Sequence, residues 1–418
     1  MTAQPETAPD TVPAHSVHSA HDDEDVRPYP FERPSAMQAC PVYKELRETC
    51  PVSKVRMPSG DQAFLVTTYD EVRTVLSDQR FSRAATLEDG APRLAAAPQK
   101  FKSLLNMDPP EHTRVRKLVS REFTARRVAA LRPRIQEHTD ALLDAMAEQE
   151  GPLDLIPALA FPLPVIVICE LLGVPFDDRE KFAAWASAFL ATTSRTKDEM
   201  LQAQIGLFTY LSELVEAKRE NPGEDLLSAL VQIHDEDGDR LSHEELIFLG
   251  ISLLVAGHET TVNQIANSVV ALLTHPEQLA ALRAEPELIG NAMEEMLRAY
   301  PPGDEALLRI ATEDVELGGV LIPAGSAVLP GLASANRDAG QFSDPDGLDF
   351  HRPTNPHFAF SHGPHYCIGS GLARLELQIA IGTLIRRFPT LKLAVEPEEL
   401  PRPSGMLVHG ITALPVTW

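Results

Sequence analysis

The stretch FAFSHGPHYCIG, residues 358–369, decides how the rest of this sequence is interpreted. It contains one cysteine, Cys367, with glycines at positions 363 and 369 and a histidine at position 365. The nearest other cysteine in the chain is Cys169, so the pattern is neither a CxxC motif nor a local disulfide pair. The sequence therefore surrounds an isolated thiol with glycines, an imidazole and aromatic rings.

A single thiolate suffices as the protein ligand of a metal when a cofactor supplies the other ligands, as the four porphyrin nitrogens of haem do. Gly363 and Gly369 would allow the tight turns and close backbone approach that a flat macrocycle needs. Backbone amides and a helix beginning at about Gly369 would stabilise the sulfur's negative charge. Phe360 would pack under the ring, and His365 would point towards a propionate. The loop alone leaves a second interpretation open, a buried structural cysteine in a glycine-rich turn.

The pattern Phe360-x-x-Gly363-x-His365-x-Cys367-x-Gly369 resembles the haem-binding loop of the cytochromes P450. It is most similar to the soluble actinobacterial class that acts in natural-product metabolism and xenobiotic oxidation. The resemblance extends from about residue 29 to residue 418, and Ser361 departs from it where the family usually has glycine. It implies a mainly α, single-domain fold over residues 27–418, a triangular prism of helices with a minor β portion.

Composition restricts the partners of this chain. It has 418 residues and a formal net charge of −23, with 60 acidic and 37 basic residues, which disfavours binding to nucleic acid or to an anionic membrane. Cys40, Cys50 and Cys169 show no motif and are interpreted as packing residues in a reducing cytoplasm. Residues 1–26 are rich in proline, threonine and acids, so they predict a disordered tail and no signal peptide.

A long apolar helix carries the second motif. Ser242 and Glu245 form a capping box, and the apolar pattern continues to about His275. Within it, Ala-Gly-His-Glu-Thr-Thr at 256–261 matches the family pattern, which implies that Ala256 and Gly257 lie against haem. By the same resemblance, Thr260 and Glu259 deliver protons to the site where dioxygen reacts. A helix kink with an exposed acid is the open alternative. A zinc-protease motif is excluded because position 262 is valine.

Glu295 and Arg298 are three residues apart on one predicted helix face. Such a pair is usually exposed and contributes under about 1 kcal/mol. The family pattern Glu-x-x-Arg implies instead a buried network with Arg352 that holds the cysteine loop and plays no catalytic part.

His112 and Arg116 share a helix face at i, i+4, in a helix for which Asp108 and Pro109 predict the start. The resemblance implies that both residues, with Arg309, bind the haem propionates, whereas solvated basic side chains are the general expectation. Further basic residues of this region predict either a docking patch for an acidic ferredoxin or a solvated face: Arg114, Lys117, Arg121, Arg126 and Arg127.

The predicted function is a haem-thiolate monooxygenase that uses haem b and dioxygen to hydroxylate or epoxidise a medium-sized hydrophobic molecule. Electrons would come from NAD(P)H through a ferredoxin reductase and a ferredoxin to a cytoplasmic monomer. Oxidative C–C or C–N coupling and a non-catalytic haem sensor are the alternatives. The resemblance also implies a set of substrate contacts: Ser252, Val255, Ala256, Glu305, Met406 and Leu407. These do not distinguish a macrolide, a terpenoid or an aromatic natural product.

Overall fold

The computed structural model describes residues 26–35, 38–95, 102–237, 240–305, 307–402, 404–408 and 410–418. The predicted disordered tail at residues 1–26 lies outside these residues, except for Val26, and it stays a prediction. The first described element begins immediately afterwards, at Arg27.

Helices dominate the chain, as the 3.6-residue periodicity of its middle section predicts. In chain order they are α1 (Pro41–Thr49), α2 (Tyr69–Ser77), α3 (Glu111–Ser120), α4 (Ala125–Ala130), α5 (Arg132–Ala147), α6 (Pro162–Leu172), α7 (Arg179–Phe189), α8 (Lys197–Glu220), α9 (Leu226–Glu236), α10 (His243–Thr274), α11 (Pro276–Ala284), α12 (Ile289–Ala299), α13 (Leu332–Ala335) and α14 (Ser370–Arg387).

The β portion is small and is built from short strands. These are β1 (Arg27–Pro28), β2 (Val52–Arg56), β3 (Gln62–Val66), β4 (Phe81–Ser82), β5 (Leu153–Asp154), β6 (Arg309–Ala311), β7 (Val315–Leu317), β8 (Val320–Ile322), β9 (Ala327–Pro330), β10 (Lys392–Leu393) and β11 (Pro415–Thr417). The largest sheet has the order β1-β2-β3-β9-β6-β4, β10-β11-β5 form a second sheet, and β7-β8 form a hairpin. The chain thus returns from its last third to pair β9 beside β3 near its beginning.

Helix α10 runs through the hydrophobic core and packs against α6, α8 and α14. The predicted capping box is present: the Glu245 amide donates to Ser242 Oγ (3.2 Å), and the Ser242 amide donates to the Glu245 carboxylate (2.9 Å). The helix is long and apolar enough to cross a membrane by length and composition alone. However, 61% of its most apolar window is buried inside the protein, as in the core helix of a globular fold.

One local prediction differs from the structure. Helix α3 starts at Glu111, and Asp108 does not cap it. The Asp108 carboxylate instead accepts hydrogen bonds from the Arg83 amide (2.9 Å) and the Ser82 hydroxyl. Pro110 has no backbone N–H that could donate to the Asp108 carboxylate in a helix cap. The carboxylate is therefore available to the neighbouring segment.

Candidate active site

The cysteine loop places the Cys367 sulfur at the start of α14. The backbone N–H groups of Gly369 and Ser370 donate to this sulfur. Burial raises the pKa of the Cys367 thiol, and these amides, together with the Arg116 and Arg374 guanidinium groups, oppose the rise. The loop therefore surrounds the sulfur with donors and positive charges that stabilise its anionic form.

Two residues of the loop adopt the left-handed backbone conformation, Gly363 with φ +69° and Ser361 with φ +62°. A Cβ atom on Gly363 would lie 2.6 Å from the carbonyl oxygen of Leu76, so only glycine allows the loop to approach the end of α2. Ser361 adopts the same backbone region although it has a side chain, at a cost of about 1 kcal/mol. Ser361 thus adopts a backbone conformation that glycine, the usual residue of the family here, would adopt without strain.

The middle of α10 faces the cysteine loop across a cavity. Ala256, Gly257 and Thr260 line this cavity together with Cys367. A Cβ atom on Gly257 would lie 2.6 Å from Cδ1 of Ile168, so glycine allows α6 to approach α10 closely at this point. The Thr260 hydroxyl donates to the Ala256 carbonyl oxygen (2.9 Å). The neighbouring Glu259 is partly exposed, and burial raises the pKa of its carboxyl group.

Most of the remaining cavity lining is apolar, as the contributions of Leu253, Leu297 and Leu372 illustrate. The exceptions are three buried polar side chains: Thr261, Gln264 and Glu376. An apolar wall of this kind favours the binding of flat hydrophobic groups.

Basic side chains from four segments converge beside the cysteine loop. The ring centroids of His112 and His365 are 4.3 Å apart. Burial lowers the pKa of His365 to about 2, and the positive field of His112, Arg309, Arg83 and Arg116 adds to that effect. Nε2 of His112 is buried and has no hydrogen-bond partner among the residues that the structure describes.

This cluster fits the two propionates of haem. Its excess of positive charge and its unpartnered imidazole nitrogen both suit carboxylate oxygens. Arg116 donates through Nη2 to the Tyr366 carbonyl oxygen, and Arg309 donates through Nη1 to the Leu307 carbonyl oxygen (3.2 Å). Each guanidinium has five N–H donors, so both retain donors for an anionic ligand. Cys367 lies on one side of the cavity and the small residues of α10 lie on the other. The donor set and the shape of this site therefore suit haem.

The predicted Glu295 network forms a fully buried ion cluster. Glu295 and Arg298 are both 0% exposed, and Arg298 donates through Nε and Nη2 to both carboxylate oxygens at 2.8 Å. Arg352 donates to the same carboxylate at 3.1 Å, and the Asn355 amide does so at 2.9 Å. Burial alone would raise the pKa of Glu295, but these hydrogen bonds hold it below its ordinary value. The remaining N–H groups of Arg298 bind carbonyl oxygens of the segment at 336–347.

A second ion cluster, which sequence reasoning missed, connects α12 to the cysteine loop. Glu294 accepts hydrogen bonds from Arg374 on α14 (2.7 and 2.8 Å) and from Nε2 of His357 (3.1 Å). The Arg374 guanidinium lies 4.4 Å from the centre of the Phe360 ring and donates to the Tyr366 hydroxyl. Burial opposes ionisation of Glu294, yet these partners lower its pKa to about 2. Arg374 follows Cys367 by seven residues, about two helical turns, and this spacing was the available signal.

The substrate contacts are the weakest part of the sequence prediction. Of the six residues, only Ala256 belongs to the lining of the cavity beside Cys367. Glu305 accepts a hydrogen bond from the Tyr29 hydroxyl (2.7 Å), so its carboxylate is directed to the N-terminal segment. Met406 and Leu407 pair with the chain that leaves α7. The two remaining residues, Ser252 and Val255, lie on α10: the Ser252 hydroxyl donates to the Phe248 carbonyl oxygen, and Val255 is buried in the core.

Sequence reasoning also missed Arg83, Gln264 and Glu376. Gln264 lies one helical turn beyond Thr260, so helical spacing alone could have placed it on the cavity face. Arg83 and Glu376 carried no local signal. Their positions depend on the packing of elements that are distant in the chain.

Comparison with known proteins gives consistent results. Residues 181–413 match the family model described as cytochrome P450. The chain is 50% identical to nocardicin C N-oxygenase from Nocardia uniformis subsp. tsuyamanensis over 94% of its length and 99% of that protein. It is 46% identical to mycinamicin IV hydroxylase/epoxidase from Micromonospora griseorubida over 94% of its length and 98% of that protein.

A solved structure agrees with these sequence matches. The crystal structure of cytochrome P450mel, described as having biaryl coupling reactivity, superimposes with a TM-score of 0.89 at 41% identity. The match covers 94% of this chain and all of that one. The mainly helical fold predicted from the cysteine loop is therefore confirmed. This chain belongs to the cytochrome P450 family, as a haem b monooxygenase of secondary metabolism that depends on redox partners, dioxygen and an organic substrate.

Proposed function

We propose that this protein hydroxylates or epoxidises a medium-sized, mainly hydrophobic natural product. The arrangement of Cys367 opposite Ala256 and Thr260 across an apolar cavity is the observation that supports this proposal most directly. The relatives act on natural products: the names of two of them specify N-oxygenation of nocardicin C and hydroxylation or epoxidation of mycinamicin IV. The apolar lining suits a hydrophobic substrate but does not select one skeleton.

Each predicted site residue has a separate task in this proposal. Haem iron with a thiolate ligand supplies the activation of dioxygen when the cofactor is bound. Cys367 provides the ligand, and the His112, Arg116, Arg309 and His365 cluster holds the propionates.

Protons reach the site through α10. Glu259 takes a proton from solvent at its exposed side, and the Thr260 hydroxyl orients the proton towards the reacting oxygen. Thr260 can leave its bond to the Ala256 carbonyl oxygen by rotation about χ1, which makes its hydroxyl available as a donor.

We also propose a cytoplasmic monomer that receives electrons from a ferredoxin. Lys117, Arg121 and Arg126 are exposed on and after α3, the helix that also carries His112. Their positive charge would attract an acidic ferredoxin to the side of the protein near the cysteine loop. Two other basic residues of the predicted patch form ion pairs in the chain itself, Arg114 with Glu245 and Arg127 with Glu122.

The substitution Cys367→Ser tests the central assignment. We expect the variant to lose the red-shifted Soret band that the reduced carbon monoxide complex shows with a thiolate ligand, and to lose substrate oxidation. The matched control is Cys50→Ser, because Cys50 lies in the loop after α1 and has no role in the site. If Cys367→Ser retains the pigment, the band and the oxidation, the proposal is wrong.

Oxidative coupling remains the second candidate, because the similar P450mel is described as having biaryl coupling reactivity. The mass of the product distinguishes the two reactions. Hydroxylation or epoxidation adds one oxygen atom, whereas coupling removes two hydrogen atoms. Turnover with surrogate electron donors also distinguishes either enzyme from a haem sensor, which would form no product.

A further inference from the structure

His258 stands between two residues of the proposed site, Gly257 and Glu259, and its imidazole is 0% exposed. Its Nδ1 lies 2.8 Å from the carbonyl oxygen of Leu254. A carbonyl oxygen only accepts hydrogen bonds, so Nδ1 must carry the hydrogen. In a neutral imidazole, Nε2 is then an unprotonated acceptor with a lone pair in the plane of the ring.

Nε2 of His258 has no hydrogen-bond partner among the described residues. The Glu259 carboxyl lies close to this nitrogen, with its Oε2 3.7 Å from Nε2. Phe182 packs edge-to-face against the same ring at a centroid distance of 5.8 Å. Complete burial and an apolar neighbour of this kind both disfavour the charged imidazolium form. The favoured form is therefore the neutral ring, in which Nε2 accepts a hydrogen bond.

A carboxylate and an unprotonated Nε2 are both acceptors, and at this distance their lone pairs repel each other. A protonated carboxyl can instead donate its hydrogen to Nε2 after a shift of about 0.5–1 Å, which brings the atoms to an ordinary hydrogen-bond distance. Burial lowers the pKa of His258 and raises that of Glu259, so both effects favour the arrangement with the proton on the carboxyl group.

Helices α6 and α7, which pack against α10, also carry titratable groups. On α6, Glu170 pairs with Arg134 (3.0 Å) and with His138 (2.9 Å). The α7 residue Lys181 pairs with Asp178 (3.2 Å). The other titratable groups of α6 and α7 are Cys169, Arg179 and Glu180. Burial raises the pKa of Glu259.

We propose that His258 is a positioning residue that holds Glu259 as a neutral, protonated carboxylic acid beside Thr260. The inference rests on the proposed role of Glu259 in proton delivery. The stored proton leaves the Glu259 carboxyl group for the Thr260 hydroxyl or a neighbouring water molecule, and the carboxylate then takes a proton from solvent. Repulsion by the Nε2 lone pair favours that second step. No electron is transferred, and the proton count is restored after each cycle.

Two substitutions separate the nitrogen atoms of His258. In His258→Asn, the side-chain amide can still donate to the Leu254 carbonyl oxygen, but nothing occupies the position of Nε2. In His258→Gln, the longer side chain can place its amide oxygen near the position of Nε2 and so restores an acceptor for Glu259. The first variant removes the proposed contact, and the second is its matched control.

The readout is the infrared C=O stretching band of a protonated carboxyl, followed against pH in the reduced carbon monoxide complex of the holoenzyme. The band of Glu259 is identified by its loss in Glu259→Gln. We expect this band to persist at neutral pH in the unsubstituted protein, and its midpoint to fall by about one pH unit, a tenfold change in proton affinity, in His258→Asn. His258→Gln should restore most of the difference. The pH profile of product formed per NAD(P)H consumed should shift in the same way.

An unchanged band midpoint in His258→Asn overturns the inference. If that variant does not fold, a midpoint in the unsubstituted protein at or below the ordinary glutamate range, about pH 4–5, overturns it equally. The proposed function fails separately. Suppose that the protein forms no oxidised product with any substrate, but its Glu259 band still responds to His258→Asn. The contact between His258 and Glu259 is then supported, and the proposed function is wrong.

Discussion

Thr260 has one hydroxyl and two competing uses for it. The hydroxyl donates to the Ala256 carbonyl oxygen (2.9 Å), a bond that satisfies the side chain without contributing to catalysis. Proton delivery requires the same hydrogen to turn into the cavity. In the proposed proton relay, the hydroxyl must therefore leave the Ala256 carbonyl oxygen before it can act. The role of Thr260 depends on this hydroxyl and not on its methyl group.

We expect Thr260→Ala to reduce product formation per electron consumed by about 10²-fold, because a positioned proton donor contributes at least that factor. Thr260→Ser keeps the hydroxyl and is the control, with a loss well below that of the alanine variant. The measurement is product formed relative to NAD(P)H oxidised. Equal coupling in Thr260→Ala and the unsubstituted protein would contradict the proton-relay assignment.

Glu376 is a buried acid whose Oε2 has no hydrogen-bond partner among the described residues. Burial raises its pKa to about 8 from an ordinary value of 4.5. Between these pH values the folded protein binds a proton that the unfolded chain does not, so the free energy of unfolding falls as the pH rises. The maximum slope from one such group is about 1.4 kcal/mol per pH unit.

Glu376→Gln should remove this slope, because the amide stays neutral at every pH in the range. Urea unfolding of the holoenzyme between pH 5 and pH 8 measures it. Glu137→Gln removes the same charge at an exposed position and serves as the control. Parallel stability profiles for Glu376→Gln and the unsubstituted protein would show that Glu376 is not held neutral.

At the scale of elements, ion clusters connect helix α12 to the segment that leads into the cysteine loop. Glu295 binds two arginines and an asparagine, and Arg298 binds carbonyl oxygens at Asn336, Pro345 and Gly347. These segments have little regular secondary structure of their own. Their backbone positions consequently depend on the buried guanidinium groups.

Glu295→Gln should lower the free energy of unfolding by about 3–5 kcal/mol, since it leaves two buried arginines without their counter-charge. The pair Arg134 and Glu137 has the same i, i+3 spacing but is exposed, and Glu137→Gln should cost under about 1 kcal/mol. Denaturant unfolding and haem content measured on both variants give the comparison. Similar costs at the two sites would mean that Glu295 contributes no more than a surface pair.

The whole molecule is strongly acidic, with a net charge of −23, so an acidic redox partner needs a local region of positive charge to dock. Lys117, Arg121 and Arg126 are the exposed candidates near the helix that carries His112. The rest of the surface would repel the same partner. Orientation of the partner therefore depends on a few residues rather than on the overall charge.

Reversing charge at two of these positions, in Lys117→Glu combined with Arg126→Glu, should raise the KM for an acidic ferredoxin about tenfold at low salt. The effect should shrink at high ionic strength because screening removes the attraction that was lost. Arg56→Glu on β2 makes a charge reversal at an exposed position of the largest sheet and is the control. Equal KM values for the double variant and the control would place the docking surface elsewhere.

Prediction from sequence succeeded where the determining interactions are local. The capping box of α10 and the ion pair of Glu295 and Arg298 both join residues three apart. It was wrong for Asp108, whose carboxylate binds the backbone at Arg83 instead of capping α3. This error concerns a polar side chain with several possible partners, and the partner it binds is distant in sequence.

The sequence by itself contained the isolated cysteine in its glycine-rich loop and the acid–threonine pair on an apolar helix. Through these motifs it determined the family and its chemistry. Each motif is a short run of residues whose spacing already implies its geometry. Tertiary structure alone decided that Arg374 and Glu294 hold the loop, that Oε2 of Glu376 is buried without a hydrogen-bond partner among the described residues, and that Nε2 of His258 faces Glu259. These facts depend on helices packing together and on where burial removes water, and neither is encoded within any one segment of the chain.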